Sequence, residues 1–279
     1  GEIDTILDQL NVHPATYLAN TKNPSYHPGR CADIIIDGKK LGVIGQIHPL
    51  VAETYGIGGE VYVAELDFTG LQASLAPERV RDEVEKILLT RSPEMVYTLI
   101  ELGLLDAFLK KRMPEPWRLH RLGSIQRKAM PRWAALCCAL EKFGCIDSAE
   151  EFLAALRLDS RTIRCCSNAA VLVKQPKPAD KAAWKRALCA YGVDSVSCAA
   201  QCYDAFSGGG SARELRAVLK SGECFSMKHL AVTGDDLLEL GLRGRELGDM
   251  LRFLLDYVME YPANNRRELL LTLARGTEE

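Results

Sequence analysis

The sequence predicts an α+β N-terminal fragment carrying a small antiparallel sheet, followed by an all-α multi-helix domain. Three observations carry this prediction. Up to about residue 70 the apolar residues include β-rich runs joined by a hairpin signal, whereas beyond Pro77 they recur at spacings of three and four. The charge is also uneven: residues 1–70 hold four Lys or Arg against nine Asp or Glu, and residues 71–279 hold 31 against 28. Finally, the chain of 279 residues is 47% hydrophobic, enough for two modest cores. The division expected is 1–70, a junction at 71–77, a helical neck and body at 78–207, and a helical tail at 208–279.

In chain order, Ile3, Ile6, Leu7 and Leu10 have helical spacing and predict a short amphipathic helix ended by Asn11. Residues 23–30 are too rich in Pro and Gly for regular structure and read as a loop. Residues 32–36 form a β-rich run, Asp37-Gly38 demands a type I′ turn, and residues 40–47 return as a second strand. Residues 49–55 suggest a helical turn. Residues 60–68, with Val61, Val63, Leu66 and Phe68, predict a third, mostly buried strand. His27 and His48 each sit beside a proline, but no third ligand or nucleophile stands at a fixed spacing, so both read as structural loop histidines.

The helical part starts at Ser74 or Pro77, with Val80, Val84, Ile87 and Leu88 on one face. Arg91-Ser92-Pro93 breaks it, and a helix from about Glu94 ends at Gly103. Residues 131–144 form a Pro-led helix closed by Gly144; residues 149–156, 162–174, 181–191 and 193–206 continue the pattern, and Gly208-Gly209-Gly210-Ser211 turns into a helix over 212–219. Thr233 with Asp236 forms an N-terminal cap for a short helix, Gly241 and Gly244 bracket a turn, and Leu247, Met250, Leu251, Leu254, Leu255 and Val258 define the next helix.

The ten cysteines include adjacent pairs at 137–138 and 165–166 but no Cys-x-x-Cys or Cys/His ligand set, which predicts reduced, buried thiols. No stretch approaches the roughly 20 apolar residues of a membrane span. A cytoplasmic, membrane-free protein is expected. The leading Gly1 without methionine suggests a fragment or a processed chain.

Two patches suit nucleic acid. Arg118, Arg121, Arg127, Lys128 and Arg132 form the densest basic run, together with Lys110, Lys111, Arg112 and His120. Trp117 and Trp133 lie among them as rings that stack on RNA or, alternatively, as core residues. Arg243, Gly244 and Arg245 open a helix, where free amides and guanidinium groups suit a phosphate. A second basic face, Lys181, Lys185 and Arg186 around Trp184, reads as an ordinary exposed helix side. No catalytic and no metal-ligating residue is assigned. Asp235 and Asp236 are consecutive, diverge by about 100° on a helix, and read as first-turn charges.

Two resemblances sharpen this reading. The run from Gly234 through Gly241, Gly244 and Gly248 to Asn264-Asn265-Arg266-Arg267 resembles the tail of bacterial CCA-adding tRNA nucleotidyltransferases, and the charged helix at 78–89 with its Ser92-Pro93 break resembles their neck. That family implies an all-helical body gripping the acceptor and T arms of tRNA, with catalysis in a separate head. Asn23 through Arg30, then Leu41 through His48-Pro49, then Val61 through Glu65-Leu66 resemble the catalytic-like module of the bacterial phenylalanyl-tRNA synthetase β subunit over residues 1–70. That module implies a degenerate synthetase fold supporting an α subunit, without binding ATP or amino acid itself.

A nucleotidyltransferase head needs two carboxylates one residue apart on a strand to hold Mg²⁺ against a triphosphate. The Gly208 turn leads instead into a basic helix, and synthetase-like sequence stands where the neck motif is expected. The expectation is therefore a tRNA-binding helical portion lacking the head and catalytically incomplete alone, with Mg²⁺ and ATP or CTP entering only with a supplied head. The alternatives are an accessory part active with that head or with a synthetase α subunit, or a non-functional chimera. The chimera predicts an exposed sheet edge within residues 32–68.

Overall fold

The computed structural model describes residues 2–9, 14–67, 70, 76–114 and 119–276. The chain divides into two compact units, residues 1–84 with 102–107, and residues 85–101 with 108–279.

In the first unit, helix α1 (Glu2–Gln9) precedes a four-stranded antiparallel sheet in the order β1 (Thr16–Ala19), β2 (Tyr26–Ile36), β3 (Lys39–Ile47), β4 (Tyr62–Leu66), with helix α2 (Pro49–Thr54) between β3 and β4. The β2–β3 hairpin turns at Asp37 (φ 48°) and Gly38 (φ 76°), both left-handed as a type I′ turn requires. The register slips between Ile34 and Ile35, and Leu41 joins Leu7, Ile34 and Ile36 in one core, while Tyr26, Cys31 and Val43 form a second.

Three expectations are corrected here. Residues 26–30, expected as loop, extend β2. Tyr26 pairs with Ile47 and Cys31 with Gly45 across a ladder irregularity, and this is where a strand accommodates Pro28. Strand β1 was not predicted; it pairs with β2 through Thr16–Ala19 and so covers the side of residues 32–35. The strand at 62–66 is not mostly buried: it is an edge, with Tyr62 58% exposed, so among the described residues the open edge expected within 32–68 lies there. Phe68 and residues 71–75 of the junction lie outside the described residues.

The second unit takes in helix α3 from Glu85 onward (Pro77–Leu88 in full), a 3-10 turn at Pro93–Met95 and helix α4 (Val96–Glu101). It continues through α5 (Ala129–Lys142), α6 (Ala149–Ala155), α7 (Ser160–Lys174), α8 (Lys181–Ser207) and α9 (Ser211–Lys220), then the tail helices α10 (Gly234–Glu239), α11 (Gly244–Glu260) and α12 (Arg267–Gly276). Buried residues run unbroken from Pro131 to Leu140, so α5 is enclosed on all sides, as a central core helix must be. Gly192 (φ 78°, ψ 162°) interrupts α8, in agreement with separate helices at 181–191 and 193–206. The tail has its own core of Leu237, Leu242, Leu254, Leu255, Val258 and Leu270.

Nine of the ten cysteines are buried, all are free, and Cys189 is exposed. His27 and His48 are structural: each Nδ1 accepts a backbone N–H, from Gly29 and Leu50 respectively, and His48 thereby caps α2. No described helix is long and apolar enough to cross a membrane.

Candidate nucleic-acid interface

Leu119, Leu122 and Ile125 are buried, and the short 3-10 segment Leu119–Ser124 is hung on these anchors. Between and after them His120, Arg121, Ser124, Gln126, Arg127 and Lys128 are exposed. The Gln126 N–H donates to Gln201 Oε1 at 3.0 Å, tying the segment to α8. Arg127 Nε donates to the Leu89 carbonyl, which orients its guanidinium without neutralising it.

Ser124 and Gln126 form one wall of a cleft of about 610 Å³ whose other walls are Ser197, Gln201 and Asp204 of α8 and Arg216 of α9. Asp204 is committed to the scaffold, because its carboxylate accepts the backbone N–H groups of Ser211 and Ala212 and so caps α9. Ala205, Ala212, Leu215 and Leu219 complete the lining, so the cleft offers amides, hydroxyls and one guanidinium over an apolar floor, and Arg121, Arg127 and Lys128 are exposed on the same segment that contributes Ser124 and Gln126. The polar groups and the exposed cations of the adjoining segment suit phosphate and ribose.

Arg132 does not belong to this surface. It is 3% exposed, and its guanidinium donates to the carbonyls of Leu88, Thr90 (2.7 Å) and Ile125 (3.3 Å). Burial first, and then nearby Arg127, hold its pKa below the usual arginine value. Its role is to satisfy backbone carbonyls at the end of α3 and just beyond the 3-10 segment that would otherwise be orphaned, so it is removed from the candidates. Trp133, 0% exposed with Nε1 donating to Glu85 at 2.9 Å, is a core residue and stacks on no RNA base. Arg118 and Trp117 lie outside the described residues.

The face at 181–186 is corrected too. Trp184 and Lys185 are buried, Lys181 pairs with Glu223, and Arg186 pairs with Asp256 and Glu260 of α11, so these charges fasten the tail to α8.

The tail patch rests on the separate tail core. Thr233 and Asp236 form a reciprocal capping box on α10, and Arg267 donates to Asp236. The backbone of Thr233 first, and Arg267 next, draw the Asp236 carboxyl down to about 2. At the start of α11, Arg243 donates to the Leu238 carbonyl at 3.1 Å, Gly244 has φ 50°, and Arg245 is 95% exposed with Asp249 3.5 Å away. Arg243, Gly244 and Arg245 thus face solvent together, on a different core from Arg121, Arg127 and Lys128. The sequence reading missed Arg216 and the amides of Gln126 and Gln201. The signal for Arg216 was present, since it shares the polar face of strongly amphipathic α9 with Arg213.

Comparison with known proteins agrees with both resemblances. Residues 1–68 match the family model described as "Phenylalanyl tRNA synthetase beta chain CLM domain", residues 69–115 that described as "Probable RNA and SrmB- binding site of polymerase A", and residues 127–274, just over half of the chain, that described as "tRNA nucleotidyltransferase domain 2 putative". The phenylalanine–tRNA ligase β subunit of Symbiobacterium thermophilum is 36% identical over 100 residues, covering 36% of this chain and 11% of the relative. That of Vibrio cholerae is 35% identical over 78 residues, 28% of this chain and 10% of the relative. The chain thus spans about a tenth of the length of these relatives. The crystal structure of Bacillus stearothermophilus CCA-adding enzyme in complex with CTP aligns with a TM-score of 0.61 and 23% identity over 76% of this chain and 54% of that one, a likeness of fold.

Proposed function

Because the chain belongs to the tRNA nucleotidyltransferase family through the domain 2 that spans residues 127–274, we propose that its helical unit grips tRNA for a CCA-adding reaction, with the catalytic head supplied by residues other than these. The observation that carries the reading is that Arg121, Arg127 and Lys128 are exposed on a segment held by buried anchors, the same segment that lends Ser124 and Gln126 to the cleft with Arg216. Anchoring matters because a preformed set of cations loses less side-chain freedom on binding than a mobile one. Such contacts recognise the shape and backbone of a folded RNA and are indifferent to base sequence. Arg243 and Arg245 supply a second grip, on the tail.

Mg²⁺ and CTP or ATP enter this reading only with a head bearing paired carboxylates. Among the described residues no group of three or more His, Cys, Asp or Glu is placed to hold a metal ion, so no step is assigned to one.

The test is binding of a fluorescent tRNA minihelix to the full chain across a salt series. With about four phosphates neutralised, log K falls against log salt with a slope of roughly −3 to −4. No binding at low salt overturns the proposal.

A second reading concerns the first unit. Leu50, Tyr55 and Tyr62 are 67%, 78% and 58% exposed in and after the β3–α2 region, beside a cleft of about 570 Å³ lined by Pro49, Ile57 and Glu60. Exposed apolar side chains at this density favour a protein partner, which the ligase resemblance would make a synthetase α subunit. Co-purification of the chain with that subunit tests it, and a mixture that elutes as two separate species speaks against it.

A further inference from the structure

Away from both patches, Arg161, Arg164 and Asn168 lie at i, i+3 and i+7 on α7 and therefore form one stripe. Across from it stand Gly192, Asp194 and Ser195, and the two sides enclose a cleft of about 450 Å³. Arg161 pairs with Asp194 at 2.6 Å. Asn168 Nδ2 donates to the buried Ser195 Oγ at 3.3 Å, which fixes the carboxamide and leaves it a second N–H. Arg164 is exposed and has no ion pair among the described residues. Val193, the first residue of the helix that resumes after Gly192, also lines the cleft.

We propose that this cleft takes a backbone phosphate of the bound RNA, an inference that rests on the tRNA-binding reading and adds a third contact to it. Arg164 and the Asn168 amide are the free donors. Asp194 serves as a stand-in for the ligand: a carboxylate holds Arg161 in place until a phosphate, which offers more acceptor oxygens to a guanidinium fork, displaces it. A cleft of this volume exceeds a single phosphate and leaves room for the adjoining ribose. Tyr191 and Val193 share the lining with these polar groups, and the Tyr191 ring gives the adjoining nucleotide a surface to lie against.

This assignment predicts effects of opposite sign, which a folding defect cannot produce together. In the full chain, Arg164→Gln should weaken minihelix binding by about 3- to 10-fold at low salt and reduce the slope of log K against log salt by roughly 0.9, the value for one lost phosphate contact. Asp194→Asn, which frees Arg161 and removes a repelling charge, should tighten binding by about 2- to 5-fold. Wild-type binding with both variants unchanged in affinity and slope overturns this inference and leaves the tRNA reading standing, whereas no binding by the wild type overturns both. Calorimetry with inorganic phosphate separates the sources. Heat lost in Arg164→Gln together with an unaltered RNA slope would make the cleft a site for free phosphate and overturn the RNA assignment.

Discussion

Lys185 Nζ lies 3.1 Å from the carbonyl oxygen of Met259, which joins α8 to the last turn of α11 inside the protein. The same ammonium meets Glu223, so one 1% exposed lysine ties together three segments. Lys185→Ala removes both partners' donor and leaves a cavity, and should cost about 2–3 kcal/mol by urea denaturation. An unchanged midpoint would show that the tail is held by other means.

Arg132 and the exposed cations should separate cleanly. Arg132→Ala strands the carbonyls of Leu88, Thr90 and Ile125 and should destabilise by about 3 kcal/mol. Arg121→Ala and Lys128→Ala should leave the melting temperature within a degree or two, and each should reduce the salt slope of minihelix binding by roughly 0.9. A melting loss in Arg121→Ala equal to that of Arg132→Ala would refute the division.

The Asp236 carboxyl titrates at about 2 in the folded chain, against about 3.9 unfolded. Its contribution is whole above the unfolded value and is lost as pH falls through about 2. The difference in melting temperature between wild type and Asp236→Asn should therefore be full at pH 5 and shrink between about pH 4 and pH 2. A difference that stays constant over that range argues against the cap and the Arg267 pair as its source.

Gly192 combines φ 78° with ψ 162°, a conformation that is nearly glycine's alone, and an added Cβ meets nothing within 4 Å. Gly192→Ala thus isolates a backbone cost, expected at about 1–3 kcal/mol with no steric component. Denaturant titration measures it directly.

Burial raises the thiols of Cys166 and Cys198, the latter to about 12, and raises that of Cys189 too, but Cys189 alone is exposed. An aromatic disulfide reagent should titrate one cysteine ahead of the rest in the native chain and all ten after denaturation. Rapid reaction of several would show that the core formed by α5, α7 and α8 opens readily.

The helical unit was largely legible because most of its helices announce themselves by apolar spacing and by a terminal residue such as Thr233, Pro131 or Gly144, whereas α12 was not anticipated. The β2–β3 hairpin was legible through Asp37-Gly38. Strand β1 was not, since all four of its residues are exposed. Only backbone pairing to β2 makes it a strand, and that leaves no trace in side-chain pattern. The candidate cations failed in a consistent way. Sequence places a guanidinium or ammonium on a stem several atoms long, but not the direction in which the stem runs. Arg132 and Lys185 run inward to carbonyls, while Arg121, Arg127 and Lys128 run outward. A hint existed for Arg132, which stands within a run whose every neighbour is buried.

The interruption at Gly192 also decides where the tail is aimed. In an unbroken helix, positions 185 and 203 are 18 residues, or five whole turns, apart and point the same way. Here Lys185 reaches Met259 in the tail, while Tyr203 donates to the carbonyls of Leu172 and Gln175 in the body. The glycine acts as a swivel that resets the angular phase between these halves. The heading of the tail is therefore encoded in two dihedral angles of a residue that makes no contact with the tail of its own, and retuning that heading requires no new interface.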